Sequence, residues 1–305
     1  NPDDHEVIKD LGNTYQAVGD FKTAKIFYQK ALAINSSYAP ALTNLGNIEL
    51  KTGNKQEALS LLIKATESEP QLALAWGNLA NGYVQLGKIQ EAENSCRKAI
   101  ELNPNLFNPN FLLGGILIGQ NKPQEAEQLL RKTIELKPDF FQAHFNLGAI
   151  LETLGELQEA ELFTRQAIEL NPDFADAHSN LGSILRTLGQ LQEAELSLRK
   201  AIKLNPDFAM AYSNLGALLK DLDKTEDAFD CYLKVIELNP EYPNIYSSIT
   251  TLLRDSDPSL LNKSKLKYIL NLLIEKDDIP HKQLFKAFQI YYKDQLVTIK
   301  EKELE

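Results

Sequence analysis

Cysteine is almost missing from this chain. Cys96 and Cys231 stand far apart among 305 residues and share no metal-ligand spacing. That excludes a disulfide framework and points to a reducing compartment, so the expected location is cytoplasmic. Histidine is equally sparse: His5, His144, His178 and His281 are the full set. No apolar run approaches the roughly 18 residues that a membrane-spanning helix needs. Positive charge is in deficit, with 32 Lys and Arg against 42 Asp and Glu and a net charge of -10. Such a chain is a poor match for phosphate backbones or anionic membranes. Phosphate loops, Gly-x-Ser-x-Gly and Cys-x-x-Cys are all lacking. Nothing here gathers the convergent polar groups that a catalytic pocket requires. The expectation is a non-enzyme with no cofactor, no metal, no nucleic-acid partner and no membrane insertion.

What is present is a period. Pro70, Pro104, Pro138, Pro172, Pro206 and Pro240 follow one another at intervals of 34 residues. Pro2 fits the series, and Ser36 occupies its one vacant slot. Leu11, Leu45, Leu79, Leu113, Leu147, Leu181 and Leu215 keep the same spacing, and the residue after each is Gly or Ala. A third series is alanine throughout: Ala24, Ala58, Ala92, Ala126, Ala160, Ala194 and Ala228. A fixed period of this length marks a repeat architecture. Each unit reads as two helices, with apolar residues at helical spacing in both halves. Between the halves stand Gly19, Gly53, Gly87, Gly155 and Gly189, replaced elsewhere by Asn121 and Asp223. These residues tolerate the left-handed backbone that ends a helix. The small eighth and twentieth residues let the paired helices approach closely.

Seven units follow: 5–38, 39–72, 73–106, 107–140, 141–174, 175–208 and 209–242. Residues 1–4 fill the closing positions of a preceding unit, so the array is expected to continue upstream. Residues 243–276 read as a degenerate eighth hairpin, with Asn262 in the alanine slot and Pro258 at the turn. Residues 277–305 read as a capping helix carrying Leu284, Phe285, Phe288, Ile290, Tyr291 and Leu296. A lead into a further domain is the other reading of that segment.

Leu and Gly at positions seven and eight, Ala at twenty and Pro at thirty-two resemble the tetratricopeptide repeat. The resemblance covers residues 5–242. It implies an all-α, right-handed superhelical solenoid whose first helices line a concave groove. It also implies that positions two, five, six, nine, twelve and thirteen face that groove. The sixth position holds Asn44, Asn78, Asn146, Asn180 and Asn214, interrupted by Asp10 and Leu112. Asn is a poor helix former, so five in one helical slot call for a reason. An amide donates and accepts, and can pair with an extended peptide backbone whatever its side chains. The series is similar to the asparagine ladder inside the superhelix of O-GlcNAc transferases. Hydrogen bonding between neighbouring repeats is the competing reading. A second family pattern, the carboxylate clamp, is matched by Lys9, Asn13 and Asn44, but Leu74 and Asn78 stand where it needs basic residues.

Two further patches vary along the expected groove. Phe111, Leu112, Gly115, Ile118 and Gly119 form an apolar dip beside Phe145. Arg186, Lys220 and Arg254 share position twelve of successive units and read either as a basic stripe or as a solvated row. Four Glu–Arg pairs, from Glu93 and Arg97 to Glu195 and Arg199, recur at i,i+4 on second helices and read as helix support. His144 and His178 are equivalent packing residues, and both cysteines read as core.

The expected function is a protein-interaction scaffold that holds an extended protein or peptide segment. The alternative is the substrate-presenting arm of a larger enzyme, because bacterial arrays of this kind resemble arms fused to glycosyltransferases, sulfotransferases or methyltransferases. Self-association into a homo-oligomer is a third reading.

Overall fold

A computed structural model describes residues 4–276 and 279–293. It is helical, without a strand among the described residues. Contacts divide the chain into two compact units, Asn1–Leu154 and Gly155–Glu305. In the first, α1 (His5–Ala17) pairs with α2 (Phe21–Ile34), and α3 (Ala39–Lys51) with α4 (Lys55–Ser68). Likewise α5 (Ala73–Gln85) pairs with α6 (Ile89–Leu102) and α7 (Phe107–Gly119) with α8 (Pro123–Leu136), while α9 (Phe141–Leu154) packs on α8. The odd-numbered helices also touch one another in series and so form one layer of this unit.

In the second unit, α10 (Leu157–Leu170) packs on α11 (Ala175–Thr187), which pairs with α12 (Leu191–Leu204). Next come the pair α13 (Ala209–Asp221) and α14 (Thr225–Leu238), then α15 (Ile245–Asp255). A 3-10 turn at Pro258–Leu260 leads into α16 (Lys263–Ile274). A second such turn, His281–Leu284, leads into a last helix, α17, over 285–293. Residues 1–3, 277–278 and 294–305 lie outside the described residues, and with them Leu296 and much of the expected cap. Of that segment, Leu284 and Ala287 are buried in one cluster with Leu253, Ile269 and Leu273.

The turns and stops have local causes. Gly19, Gly53, Gly87, Gly155 and Gly189 all have φ between 71 and 88°, and Asn121 and Asp223 stand at 58 and 57°. The helix before each of them therefore ends in the left-handed region, where glycine is unstrained and Asn and Asp are tolerated. The repeated prolines fall just past the ends of α4, α6, α8, α10, α12 and α14. Their carbonyls have a second use. Trp76 Nε1 donates to Pro70 O at 2.9 Å and Asn110 Nδ2 to Pro104 O at 3.2 Å. His144 and His178 place Nε2 at 2.8 and 2.9 Å from the carbonyls of Pro138 and Pro172. The fourth position of these units is thus a donor that clips the start of one unit to the end of the one before. Asn262, which breaks the alanine series, is the N-cap of α16: its Oδ1 accepts from the backbone of Ser264 and Lys265. That helix starts later in its unit than its counterparts do.

Packing explains the small residues. All seven alanines of the periodic series are fully buried. A Cβ added at Gly46 would lie 2.7 Å from Leu62 Cγ, and one at Gly12 would lie 2.6 Å from Tyr28 Cε1. Tyr28 and Leu62 are themselves fully buried and have nowhere to retreat. Even-numbered helices carry the expected ion pairs, Glu93–Arg97, Glu127–Arg131, Glu161–Arg165 and Glu195–Arg199, at 2.8 to 2.9 Å. Some reach further: Arg165 also binds Glu193 at 2.7 Å, and Lys224 binds Glu195 at 2.9 Å. One carboxylate lies deeper. Glu49 is fully buried, ion-paired with Lys25 and bonded by Asn54 Nδ2 at 2.7 Å. Burial pushes its pKa up, but the bonds from Lys25 and Asn54 prevail and hold it below the ordinary value.

Two outcomes follow from this packing. Gly46→Ala should cost about 1–3 kcal/mol through overpacking against Leu62, and hydrogen exchange should rise mainly in α3, α4 and their neighbours, since repeats touch only adjacent repeats. Uniform loss of protection across residues 4–276 would contradict that reading. Glu49 is depressed in the folded chain, so the stability it contributes is full above the ordinary carboxylate range and drains as pH falls through the lowered value. Lys25→Ala should cost about 1–3 kcal/mol at neutral pH by stranding that carboxylate, and urea unfolding should show the deficit shrinking in acid.

Candidate peptide-binding surface

The five sixth-position asparagines lie on α3, α5, α9, α11 and α13, each half-buried. They are not equivalent. Asn44 Nδ2 donates to Asn13 Oδ1 at 2.7 Å, and Tyr28 Oη donates to the same oxygen at 2.8 Å. Asn180 Nδ2 makes a long bond of 3.4 Å to Thr164 Oγ1, and Asn214 Nδ2 one of 3.3 Å to Ser179 Oγ. Asn78 and Asn146 make no side-chain hydrogen bond among the described residues. In none of the five does the amide oxygen accept a bond from a described group. Turning an amide over exchanges its donor and acceptor ends, so one end of each stays unpaired in either orientation. Asn44 thus ties neighbouring repeats together, while Asn78 and Asn146 keep their full hydrogen-bonding capacity among the described residues.

The clamp-like residues are committed to each other. Lys9 pairs with Asp10 at 2.6 Å, and Asn13 donates to Asp10 at 3.2 Å while accepting from Asn44 and Tyr28.

The apolar dip is a real concavity of about 380 Å³. Phe111, Leu112, Gly115 and Gly119 of α7 form one side, and Val84 of α5 and Ile89 of α6 the other. Gln120 is the one polar side chain in the lining, and its Nε2 is committed to Glu93 Oε2 at 2.6 Å. Phe111 is held edge-on by Phe140, ring centroids 4.8 Å apart. Two expected members lie elsewhere. Ile118 is exposed but turned away from the cavity lining, and Phe145 is half-buried and also outside it. Val84 sits at position twelve, within the inner set that the resemblance implied. Ile89 belongs to a second helix, and a reading confined to first helices could not find it.

Gly115 and Gly119 differ from the other helical glycines of their unit. A Cβ at either would meet nothing within 4 Å, whereas one at Gly114 would meet Leu130 at 3.2 Å. Neither has a left-handed backbone. Gly115, inside the helix, costs it about 1 kcal/mol relative to Ala with no packing to account for it, and Gly119 closes the helix just before the turn at Asn121.

The row Arg186, Lys220 and Arg254 is not a free basic stripe. Arg186 pairs with Asp221 at 2.5 Å, Lys220 with Asp255 at 3.1 Å and Arg254 with Asp255 at 2.6 Å. Each cation of position twelve meets a carboxylate of position thirteen, which compensates the field an acidic ligand would feel. The Arg254 bond, then the Lys220 bond, pulls the Asp255 carboxyl down to about 2.

Neither thiol is poised for chemistry. Burial raises Cys96 to about 12 and Cys231 to about 11, so the reactive thiolate is scarce at neutral pH. Among the described residues no group of three or more His, Cys, Asp or Glu could hold a metal ion. No described helix is long and apolar enough to cross a membrane.

The family model of the cilia and flagella-associated protein 70 C-terminal domain matches residues 4–211. The tetratricopeptide repeat model matches residues 209–242. The first match takes in well over half of the chain, and the chain belongs to that family of tetratricopeptide-repeat domains. Among solved structures, YrrB, described as a TPR protein with an unusual peptide-binding site, is 28% identical, over 60% of this chain and 95% of its own, with a TM-score of 0.53. PilF of Pseudomonas aeruginosa is 21% identical, over 70% of this chain and 96% of its own, with a TM-score of 0.60. The Cut9–Hcn1 hetero-tetramer of APC/C is 17% identical, over 75% of this chain and 45% of its own, with a TM-score of 0.62. The last two share the fold. No curated protein matches. The fold is that of a protein-interaction scaffold.

The compensated row makes a measurable claim. Changing Lys220 and Arg254 to Gln should return the Asp255 carboxyl from about 2 towards the ordinary value, read by carbon-detected NMR titration. Its pKa is lowered by folding, so what this pairing adds to stability is present above the ordinary range and fades as pH falls towards 2. An unmoved titration would mean that the cations are free in solution.

Proposed function

We propose that this chain holds an extended polypeptide segment of a partner protein against the first helices within a compact unit, gripping the segment's backbone through the sixth-position amides there. One observation carries the reading. Five asparagines recur in one helical slot where Asn is unfavourable, and every one keeps an unpaired amide oxygen among the described residues. A carbonyl of this kind accepts from a peptide N–H, and in Asn78 and Asn146 the amide N–H groups are free to donate as well. The peptide-binding site described for YrrB, whose sequence is 28% identical, supports the same class of ligand. Backbone recognition needs little complementarity of charge, which suits a surface whose cations at position twelve are already paired.

The test uses peptides recovered from a random display library on the intact chain, with Asn146, Asn180 and Asn214 changed to Ala together. Each lost bond is worth about 0.5–1.5 kcal/mol net, so affinity should fall by a similar factor for peptides of different sequence. Ala is the better helix former and the internal bonds of Asn180 and Asn214 are long, so the melting temperature should hold or rise. Undiminished binding by a less stable triple variant would return these amides to a purely structural role. Asn44→Ala serves as the contrast: it removes a 2.7 Å internal bond and should cost about 1 kcal/mol of stability.

A further inference from the structure

Three features of the first unit converge on α7. The sixth-position series is interrupted there by Leu112, which lines the cavity of about 380 Å³. The units on either side supply Asn78 and Asn146, the two amides with no side-chain hydrogen bond among the described residues. And α7 keeps Gly115 and Gly119 at positions where a Cβ would meet nothing within 4 Å. The equivalent places in the units before and after hold Asn81 and Gln85, and Ala149 and Thr153. The empty volume thus comes from two missing side chains, walled by Phe111, Val84 and Ile89.

Charge narrows the occupant. Neither α5 nor α7 carries a single Asp, Glu, Lys or Arg, and α9 carries only Glu152, near its end. This stretch stands out in a chain whose net charge is -10. Farther on, α11, α13 and α15 each carry both signs. A charged segment would lose hydration against α5 and α7 and find no counter-charge on them. An uncharged one loses little.

We infer that this place sets the register of the bound segment, with one bulky apolar side chain of an uncharged stretch seated beside Gly115 and Gly119 while Asn78 and Asn146 hold the backbone on either side. The inference rests on the proposed groove reading and adds to it the chemical class of the partner sequence. The cavity stands near the low end of the roughly 300–1,000 Å³ range of ligand pockets, which suits a single Phe or Leu rather than a whole folded element.

The probes are short acetylated, amidated peptides of Ser, Thr and Ala with one central residue set to Phe, Leu, Ser, Asp or Lys, titrated by fluorescence anisotropy against the intact chain. The Phe and Leu peptides should bind at least about tenfold more tightly than the Ser peptide, and the Asp and Lys peptides no better than Ser. Gly115→Leu and, independently, Gly119→Leu should erase that preference without lowering the melting temperature, because a Cβ at either place meets nothing within 4 Å and Leu is the better helix former. Asn78→Ala with Asn146→Ala should weaken all peptides alike. A Phe preference that survives both leucine variants overturns the pocket assignment and leaves the groove reading standing. An asparagine variant that binds every peptide as tightly as the wild type overturns the groove reading itself. No binding of any peptide, or equal binding of all, overturns the inference.

Discussion

The closeness of the two helices within a unit is the constraint on which the rest depends. At Gly46 the backbone of α3 lies so near Leu62 that a single added carbon would fall 2.7 Å from its Cγ. The buried alanines, such as Ala58 and Ala92, let the partner helices lie equally close. Once that spacing is set, each unit has a fixed thickness, and the fourth-position donors can reach the proline carbonyls of the unit before. Trp76, Asn110, His144 and His178 differ in shape, yet each brings a nitrogen to the same kind of acceptor. Sideways regularity within each compact unit therefore follows from tight pairing.

That logic explains what could be read from the residues and what could not. The helices, turns and stops were legible because each has a local cause: positive φ at Gly53 or Asn121, a proline beyond the helix end, an alanine with no space around it. Local chemistry also marked Asn262 as a break in the pattern, though its service as the N-cap of α16 needed the coordinates. The candidate residues were legible by position but not by the bonds they make. Periodicity identified Asn44 and Asn146 as equivalent, but it could not show that Asn44 is taken up by Asn13 while Asn146 is free. It placed Arg186, Lys220 and Arg254 in a row and missed that Asp221 and Asp255, one position later in the period, would neutralise them. Contacts between units depend on side-chain reach across the stack, which a one-dimensional pattern does not contain. The same gap hid Ile89, which closes the cavity from a second helix.

Charge is sorted by helix between α5 and α8. There α6 and α8 carry the Glu–Arg pairs, with Glu93 drawn in to hold both Arg97 and Gln120. On the odd-numbered side, α5 and α7 carry none. Exposed ion pairs add little to stability, so this sorting bears mainly on which surface meets solvent and which can meet an uncharged chain. Gly115 runs against helix propensity on that neutral side. A surface that forgoes helical stability where nothing is packed invites a ligand-based explanation.

The claim at the centre of this account is that amides on the first helices are engaged by a peptide backbone. Its most direct measurement is the nitrogen–proton spectrum of the asparagine side chains in the intact chain, recorded while a bound peptide is titrated in. The account predicts that the NH2 resonances of Asn78 and Asn146 move and exchange more slowly with solvent, while those of Asn13 and Asn44, already joined to each other at 2.7 Å, change far less. Saturation by peptide with the Asn78 and Asn146 amides unmoved would contradict it.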